Sequence, residues 1–407
     1  MNKNTLKKYA KLIAVMGANI QEGQEVDISI SIENAEFARH LVEACYEAKA
    51  GKVTVNWIDQ ELTKLHYHHR SVESLSKLDN WEIEKLKHKA EVIPVRIFIE
   101  SSDPDGLKGI DHAKVGKVRK ALYPIQKPYI DAIEGKDQWC IAAIPGEAWA
   151  KKVFPNDTKR VAIKKLWDAI LKVTRITDDP IKSWVEHNAN LQEKCQKLND
   201  LDLACLEYKN SLGTDLRLEL APTNHWLAGE EVTKETKIRF NPNMPTEEVF
   251  GMPKKDGVNG IVYSALPLSY NGQLIEDFNI RFENGKAVEV HAKKGEELLK
   301  QMISMDENAA YLGEVALVPY SSPISQSGIL FYNTLFDENA SCHLALGRAF
   351  YNNVKDFESY DPEELDKLVN NSMIHVDFMI GTKDLDIVGT TKDGKKIQIF
   401  KDGDWAI

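Results

Sequence analysis

A change in hydrophobic spacing near residue 200 constrains this chain more than any other feature. Before it, strand-like runs alternate with helix-like ones: Glu25-Val-Asp-Ile-Ser-Ile-Ser31, a helix around Ala35 to Lys49, Lys52-Val-Thr-Val-Asn-Trp57, Val92 to Ile99, and Trp139 to Ile144. Strands separated by helices cannot close as hairpins, so they point to βαβ crossovers and a mainly parallel sheet. From Asp157 to Leu201 the pattern is helical, and after Cys205 closely spaced strands with hairpin signals take over. Leu206–Asn210 and Asp215–Leu220 flank the turn residues Ser211-Leu-Gly-Thr214, and Asn271-Gly272 and Asn284-Gly285 mark further tight turns. The expected fold is α/β, with a mainly parallel βαβ sheet domain over residues 1–200 and an antiparallel-rich α+β domain over residues 201–407. The length of 407 residues suits such a division.

Composition narrows the partners. Lys and Arg total 52 against 62 Asp and Glu, a net charge of -10 that repels a phosphate backbone. No GxGxxG or GxxxxGK[ST] stands at a strand-to-helix junction, so neither nucleic acid nor nucleotide is an expected partner. The five cysteines, Cys45, Cys140, Cys195, Cys205 and Cys342, are scattered without CxxC spacing and fit reduced thiols in a cytosol. The first residues read as an amphipathic helix rather than an export signal. The longest uncharged stretch, Val315 to Phe336, carries Pro319, Pro323, four serines, Gln326 and Asn333, which excludes a membrane span.

The residues with chemical potential lie in the second half. In Met373-Ile-His-Val-Asp-Phe-Met-Ile380 the strand period puts His375 and Asp377 on one face of an otherwise apolar segment. That is costly unless the two satisfy each other through a structural hydrogen bond or hold a ligand. Glu314 stands in the apolar strand Tyr311–Val318, on the face expected to hold Leu312, Ala316 and Val318. An uncharged loop, Pro319 to Phe336, follows and is placed to wall a cleft. Asp337 or Asn339 is expected to cap a helix running to about Tyr351, with Glu338 at its start and His343 on its apolar face. Pro242 and Pro245 lead into Thr246, expected to cap a turn carrying Glu247 and Glu248. Each of these has an ordinary structural reading by itself. As a set, Glu248, Glu314, Glu338, His343, His375 and Asp377 offer the carboxylates and imidazoles that suit a pair of divalent ions. The cluster His66-Tyr-His-His69 lacks carboxylate partners at ligand spacing and reads as a solvated helix surface, and His112, His187, His225 and His291 are given no role.

The stretches NPNMPTEEVF, YLGEVALVPYSSPIS, LFDENASCHLALGRAF and MIHVDFMIG closely resemble the M29 family of metallo-aminopeptidases, and the resemblance extends over essentially the whole chain. It implies a cytoplasmic exopeptidase, usually a homodimer, that uses two divalent metal ions (Zn, Co or Mn, with Mg possible) to remove N-terminal residues from peptides with a free N-terminus. By motif, Glu248, Glu314, Glu338, His343, His375 and Asp377 become the metal ligands or their immediate supports, and Glu247 the candidate general base. In the family pattern a tyrosine follows the motif's first histidine by seven positions. Here that position is Phe350, with Tyr351 next to it as the candidate hydroxyl. Two alternatives share these residues: a two-metal amidohydrolase acting on non-peptide amides, and a catalytically silent binding protein, for which Phe350 is the hint.

Overall fold

The computed structural model describes residues 1–270 and 272–407, and the chain divides into two compact units. One comprises Met1–Trp184 with Glu230–Met244, and the other Val185–Gly229 with Pro245–Ile407. The chain therefore passes from one unit to the other three times, where the sequence reading expected a single boundary near 200.

The first unit is built on a five-stranded sheet in the order Asn243–Met244, Trp139–Ala143, Val95–Glu100, Glu25–Ser31, Lys52–Ile58. Every pairing in it is parallel. Val26, Ile28 and Ile30 point into the core while Asp27, Ser29 and Ser31 stay half-buried, as the alternation in sequence requires. Helices join successive strands, among them Ala35–Glu47 and Asn80–Val92. The second of these overruns the expected strand start at Val92: Ile93 turns left-handed at φ 47° ahead of Pro94, and the strand begins at Val95. The helix Gln60–His69 leaves His66, His68 and His69 exposed.

The second unit stacks two antiparallel sheets. The larger has nine strands and runs from Leu268–Tyr270 through Gln273–Glu283, Pro253–Tyr263, Asp215–Leu220, Leu203–Lys209 and Asp386–Thr391 to Lys396–Lys401 and Asp404–Trp405, with Lys286–Lys294 also on Gln273–Glu283. The Asn284-Gly285 turn forms as expected, with φ of 48° and 80° closing the hairpin between Glu283 and Lys286. Of the other expected turn, Asn271 lies outside the described residues. The smaller sheet has the order His375–Met379, His343–Gly347, Leu312–Leu317, Val249–Gly251, Leu227–Ala228.

One apolar cluster joins the two sheets, drawing Val315, Leu317, Leu344, Leu346, Val376 and Phe378 from the smaller and Leu206, Leu218, Val258, Phe278 and Ile280 from the larger. The Phe278 and Phe378 rings lie 5.9 Å apart within it. The smaller sheet is thus apolar on one face and free to carry polar groups on the other. No helix among the described residues is long and apolar enough to cross a membrane.

Candidate metal centre

The strand register puts five of the six singled-out residues together. Glu314 pairs with Ala345, which pairs with Asp377, and Ala316 pairs with His343. His375 pairs with Gly347 at the end of the same ladder. Because side chains opposite one another share a face, Glu314, His343, His375 and Asp377 all project away from the apolar core. Glu248 precedes the strand Val249–Gly251, whose Phe250 pairs with Ala316, so Glu248 reaches the same side.

Three local expectations are corrected here. The segment 337–351 is not a helix: a short helix, Thr334–Asp337, passes into a 3₁₀ turn, Glu338–Ala340, and His343 opens a strand. Leucine and alanine favour helix in isolation, but His343–Gly347 runs fully buried between two neighbours that satisfy its backbone on both sides. Gly347, at φ 101°, lies outside helical space altogether. Second, Glu314 does not share its face with Leu312. A register shift between them, at Gly313, turns Leu312 to pair with Leu346 on the apolar side. A Cβ at Gly313 would stand 2.3 Å from the Arg348 carbonyl oxygen, so only glycine permits the bulge. Third, Thr246 does not cap a turn. Residues 246–248 form neither helix nor turn, and the Glu247 amide donates to Asn339 Oδ1 at 2.7 Å.

Within the cluster, His343 Nε2 lies 3.1 Å from Glu248 Oε2 and 3.4 Å from Glu314 Oε1. His375 Nε2 lies 3.7 Å from Glu314 Oε2 and 3.2 Å from Asp377 Oδ1. The potential ligand atoms of Glu248, Glu314 and His343 fall within 4.8 Å of one another, as do those of Glu314, His375 and Asp377. Glu314 belongs to both triads, one oxygen toward each. Glu338 belongs to neither, but it is buried beside them and accepts from Asn339 Nδ2 at 3.3 Å.

The donor set fits cations. His343 Nδ1 faces the carbonyl oxygens of Glu338 and Ser341 at 2.9 and 3.1 Å, and His375 Nδ1 faces that of Arg348 at 2.7 Å. A carbonyl only accepts, so Nδ1 carries the proton and each Nε2 aims its lone pair at carboxylate oxygens. Lone pairs converge this way only around a positive charge. In the absence of metal, protons fill the place: burial lowers His375, but Asp377 and Glu314 outweigh it and lift it to about 9. For His343 burial is likewise overcome, by the hydrogen bonds to Glu248 and Glu314, and it rises well above the usual imidazole range. Burial drives Glu314 upward, and it drives Glu338 further with the help of Asp377 and Glu248. Asp377 ends below its usual range because His375 and His343 together exceed the burial that opposes them.

Around the cluster, the Pro319–Phe336 loop is tied down by Ser322 Oγ donating to the Asn339 carbonyl at 3.2 Å and by Asp337, which accepts from the amides of Phe331 and Asn333 at 2.8 and 3.0 Å. The Phe331 and Phe336 rings stack at 4.7 Å. Tyr351 sits in a 3₁₀ turn and its hydroxyl donates to Asp366. The ring at 350 is the one beside the cluster, 4.7 Å from the His375 imidazole. His187, given no role from sequence, places Nε2 2.7 Å from the Thr246 carbonyl oxygen and 4.0 Å from Glu247 Oε2. Nothing local could have signalled this, since 59 residues separate His187 from Thr246.

Two imidazoles and four carboxylates gathered beside the smaller antiparallel sheet make a donor set of the class that suits divalent metal ions. Comparison with known proteins gives the particular family. The M29 peptidase profile, described as thermophilic metalloprotease, matches residues 2–405. Aminopeptidase AmpS of Bacillus subtilis is 45% identical over 404 residues, covering 98% of both chains. Aminopeptidase T of Thermus thermophilus is 39% identical over 407 residues, covering 100% of this chain and 99% of its own. The structure of wild-type AmpT from Thermus thermophilus superposes with a TM-score of 0.89 at 38% identity, covering both chains in full. This chain belongs to the M29 metalloprotease family, and its enzyme class is that of the metallo-exopeptidases.

Proposed function

We propose that this protein is a two-ion aminopeptidase that hydrolyses the first peptide bond of substrates with a free N-terminus, and that the second unit carries the catalysis. The observation that carries the reading is Glu314: one carboxylate, buried on a single sheet face, directs Oε1 toward one triad and Oε2 toward the other. Glu248 and His343 would complete the first ion's protein ligands, and His375 and Asp377 those of the second. Glu338 stands by as a further carboxylate or a support.

When bound, divalent ions supply Lewis acidity, an acidified water and a seat for a neutral amine. The chain supplies the rest. Glu247, next in sequence to Glu248, is the proposed general base, taking a proton at its carboxylate and returning it to the departing amine. Its backbone is pinned from two sides, by Asn339 at its own amide and by His187 at the Thr246 carbonyl. The carbonyl partners of both Nδ1 atoms hold the imidazoles in the tautomer that ligation needs. Tyr351 is left out of this scheme, because its hydroxyl is engaged with Asp366.

Oxygen and imidazole ligands accept Zn, Co or Mn, and Mg less readily. The five cysteines are free and buried, which suits a reducing cytoplasm, and a homodimer follows from family likeness alone. Titrating metal-stripped protein tests the two-ion claim: activity should rise to saturation as two equivalents bind, and Glu314→Gln should weaken both sites together. Saturation at one equivalent, or a Glu314→Gln protein that loses only one ion, contradicts it.

A further inference from the structure

The Thr246 carbonyl and the Glu247 amide belong to one rigid peptide plane, and two side chains from distant parts of the second unit hold it. His187 Nε2 faces the Thr246 carbonyl oxygen at 2.7 Å, and Asn339 Oδ1 accepts from the Glu247 amide at 2.7 Å. A carbonyl only accepts, so His187 Nε2 carries the proton here. Residues 246–248 form neither helix nor strand, and the two side chains take the place of a ladder. Rotating the plane breaks both bonds where water does not replace them, since Thr246 and Glu247 are only 3% and 6% exposed. Asn339 is itself fully buried, and its Nδ2 donates to the Leu335 carbonyl oxygen at 2.9 Å and to Glu338 Oε1 at 3.3 Å. Its amide cannot turn over without losing all three bonds, because oxygen and nitrogen would exchange places. On the other side of Glu247 the chain is fixed again, by Glu248 beside His343 and by Val249 paired with Leu317.

We propose that His187 and Asn339 are positioning residues that clamp the Thr246–Glu247 peptide, so that the Glu247 carboxylate keeps one orientation at the ligand cluster. The inference rests on the reading of Glu247 as general base. Neither side chain takes a proton in the reaction, and both act through Glu247. With the plane free to swing, the carboxylate moves off the line to the water it deprotonates, and a misplacement of about 1 Å is enough to slow a reaction about a hundredfold. The substrate's amine is held at the ligand cluster and not by this peptide, so the loss falls on kcat and leaves KM in place.

The test uses the full chain reconstituted with metal and a free-amine substrate, Leu p-nitroanilide, with kcat expressed per metal bound so that a partly folded variant still reports. His187→Ala and Asn339→Ala should each lower kcat about tenfold or more, with KM within about twofold of wild type. His187→Gln, which keeps an N–H donor for the Thr246 carbonyl, should recover most of the loss. The decisive comparison is made in the Glu247→Gln background, where either alanine change should alter kcat by less than about twofold, because no base is left to position. Wild-type kcat in the alanine variants, no recovery with His187→Gln, or the same tenfold loss with and without Glu247 overturns the clamp and leaves the base standing. A Glu247→Gln protein that turns over like wild type at full metal content overturns the base, and the clamp with it.

Discussion

Glu314 is the residue on which the site turns. Its carboxylate is shared, its backbone is set by a bulge, and burial has already pushed it toward the neutral form that a cation would reverse. The base assignment is tested at Glu247: Glu247→Gln should retain both metal ions by elemental analysis while kcat falls by about 10²- to 10⁴-fold. Wild-type turnover at full metal content would remove Glu247 from the mechanism. His375 carries a pH prediction. Its pKa in the metal-free fold, about 9, lies above the ordinary 6.5, so the charged imidazole stabilises the metal-free protein fully below pH 6.5, and that stability is lost as pH rises through 9. A metal ion has to displace the same proton. Metal affinity should therefore tighten as pH rises from 6.5 to 9, with proton release visible by calorimetry in buffers of different ionisation enthalpy. Affinity that stays flat across that range would contradict the assignment of His375 as a ligand. Much of this was legible, because His375, Asp377 and Glu314 are ionisable groups in apolar strands, and their cost announces a partner. The His187 contact with Thr246 and the Tyr351 contact with Asp366 were not, since each depends on how distant or non-periodic segments pack.

At the scale of elements, the smaller sheet does the organising. Alternation assigns faces strand by strand, but the strands agree only because Gly313 absorbs one extra residue. Gly313→Ala should cost about 2 kcal/mol or more, since the new methyl meets backbone that cannot swing aside. The same change should lower metal content by shifting Glu314, so the melting temperature and bound metal are to be measured together. Unchanged values for both would mean that the bulge does not set the ligand's position. The His343 strand shows why local sequence misled: a fully buried central strand and a helix share an apolar composition, and only long-range pairing decides between them. The parallel sheet, by contrast, was readable from its alternating segments, as was the Asn284-Gly285 hairpin from its turn residues.

For the whole molecule, the change in spacing marks the passage from a parallel to an antiparallel sheet, and the return of Glu230–Met244 to the first unit leaves no sign in the sequence. That excursion ends in Asn243–Met244, a two-residue edge strand too short to leave a periodic mark. If the cluster holds ions only when folded, metal should stabilise the second unit, by about 4 kcal/mol at a thousandfold excess over Kd, and a chelator should lower that unit's melting temperature accordingly. The central claim, a metal-dependent enzyme that requires a free amine, is met most directly by one experiment. Amino acid release is followed from a peptide and its N-acetylated twin, using chelator-treated protein before and after Zn, Co or Mn is restored. The account predicts release from the unblocked peptide alone, and only with metal present. Cleavage of both peptides, cleavage without metal, or no cleavage despite bound metal would each contradict it.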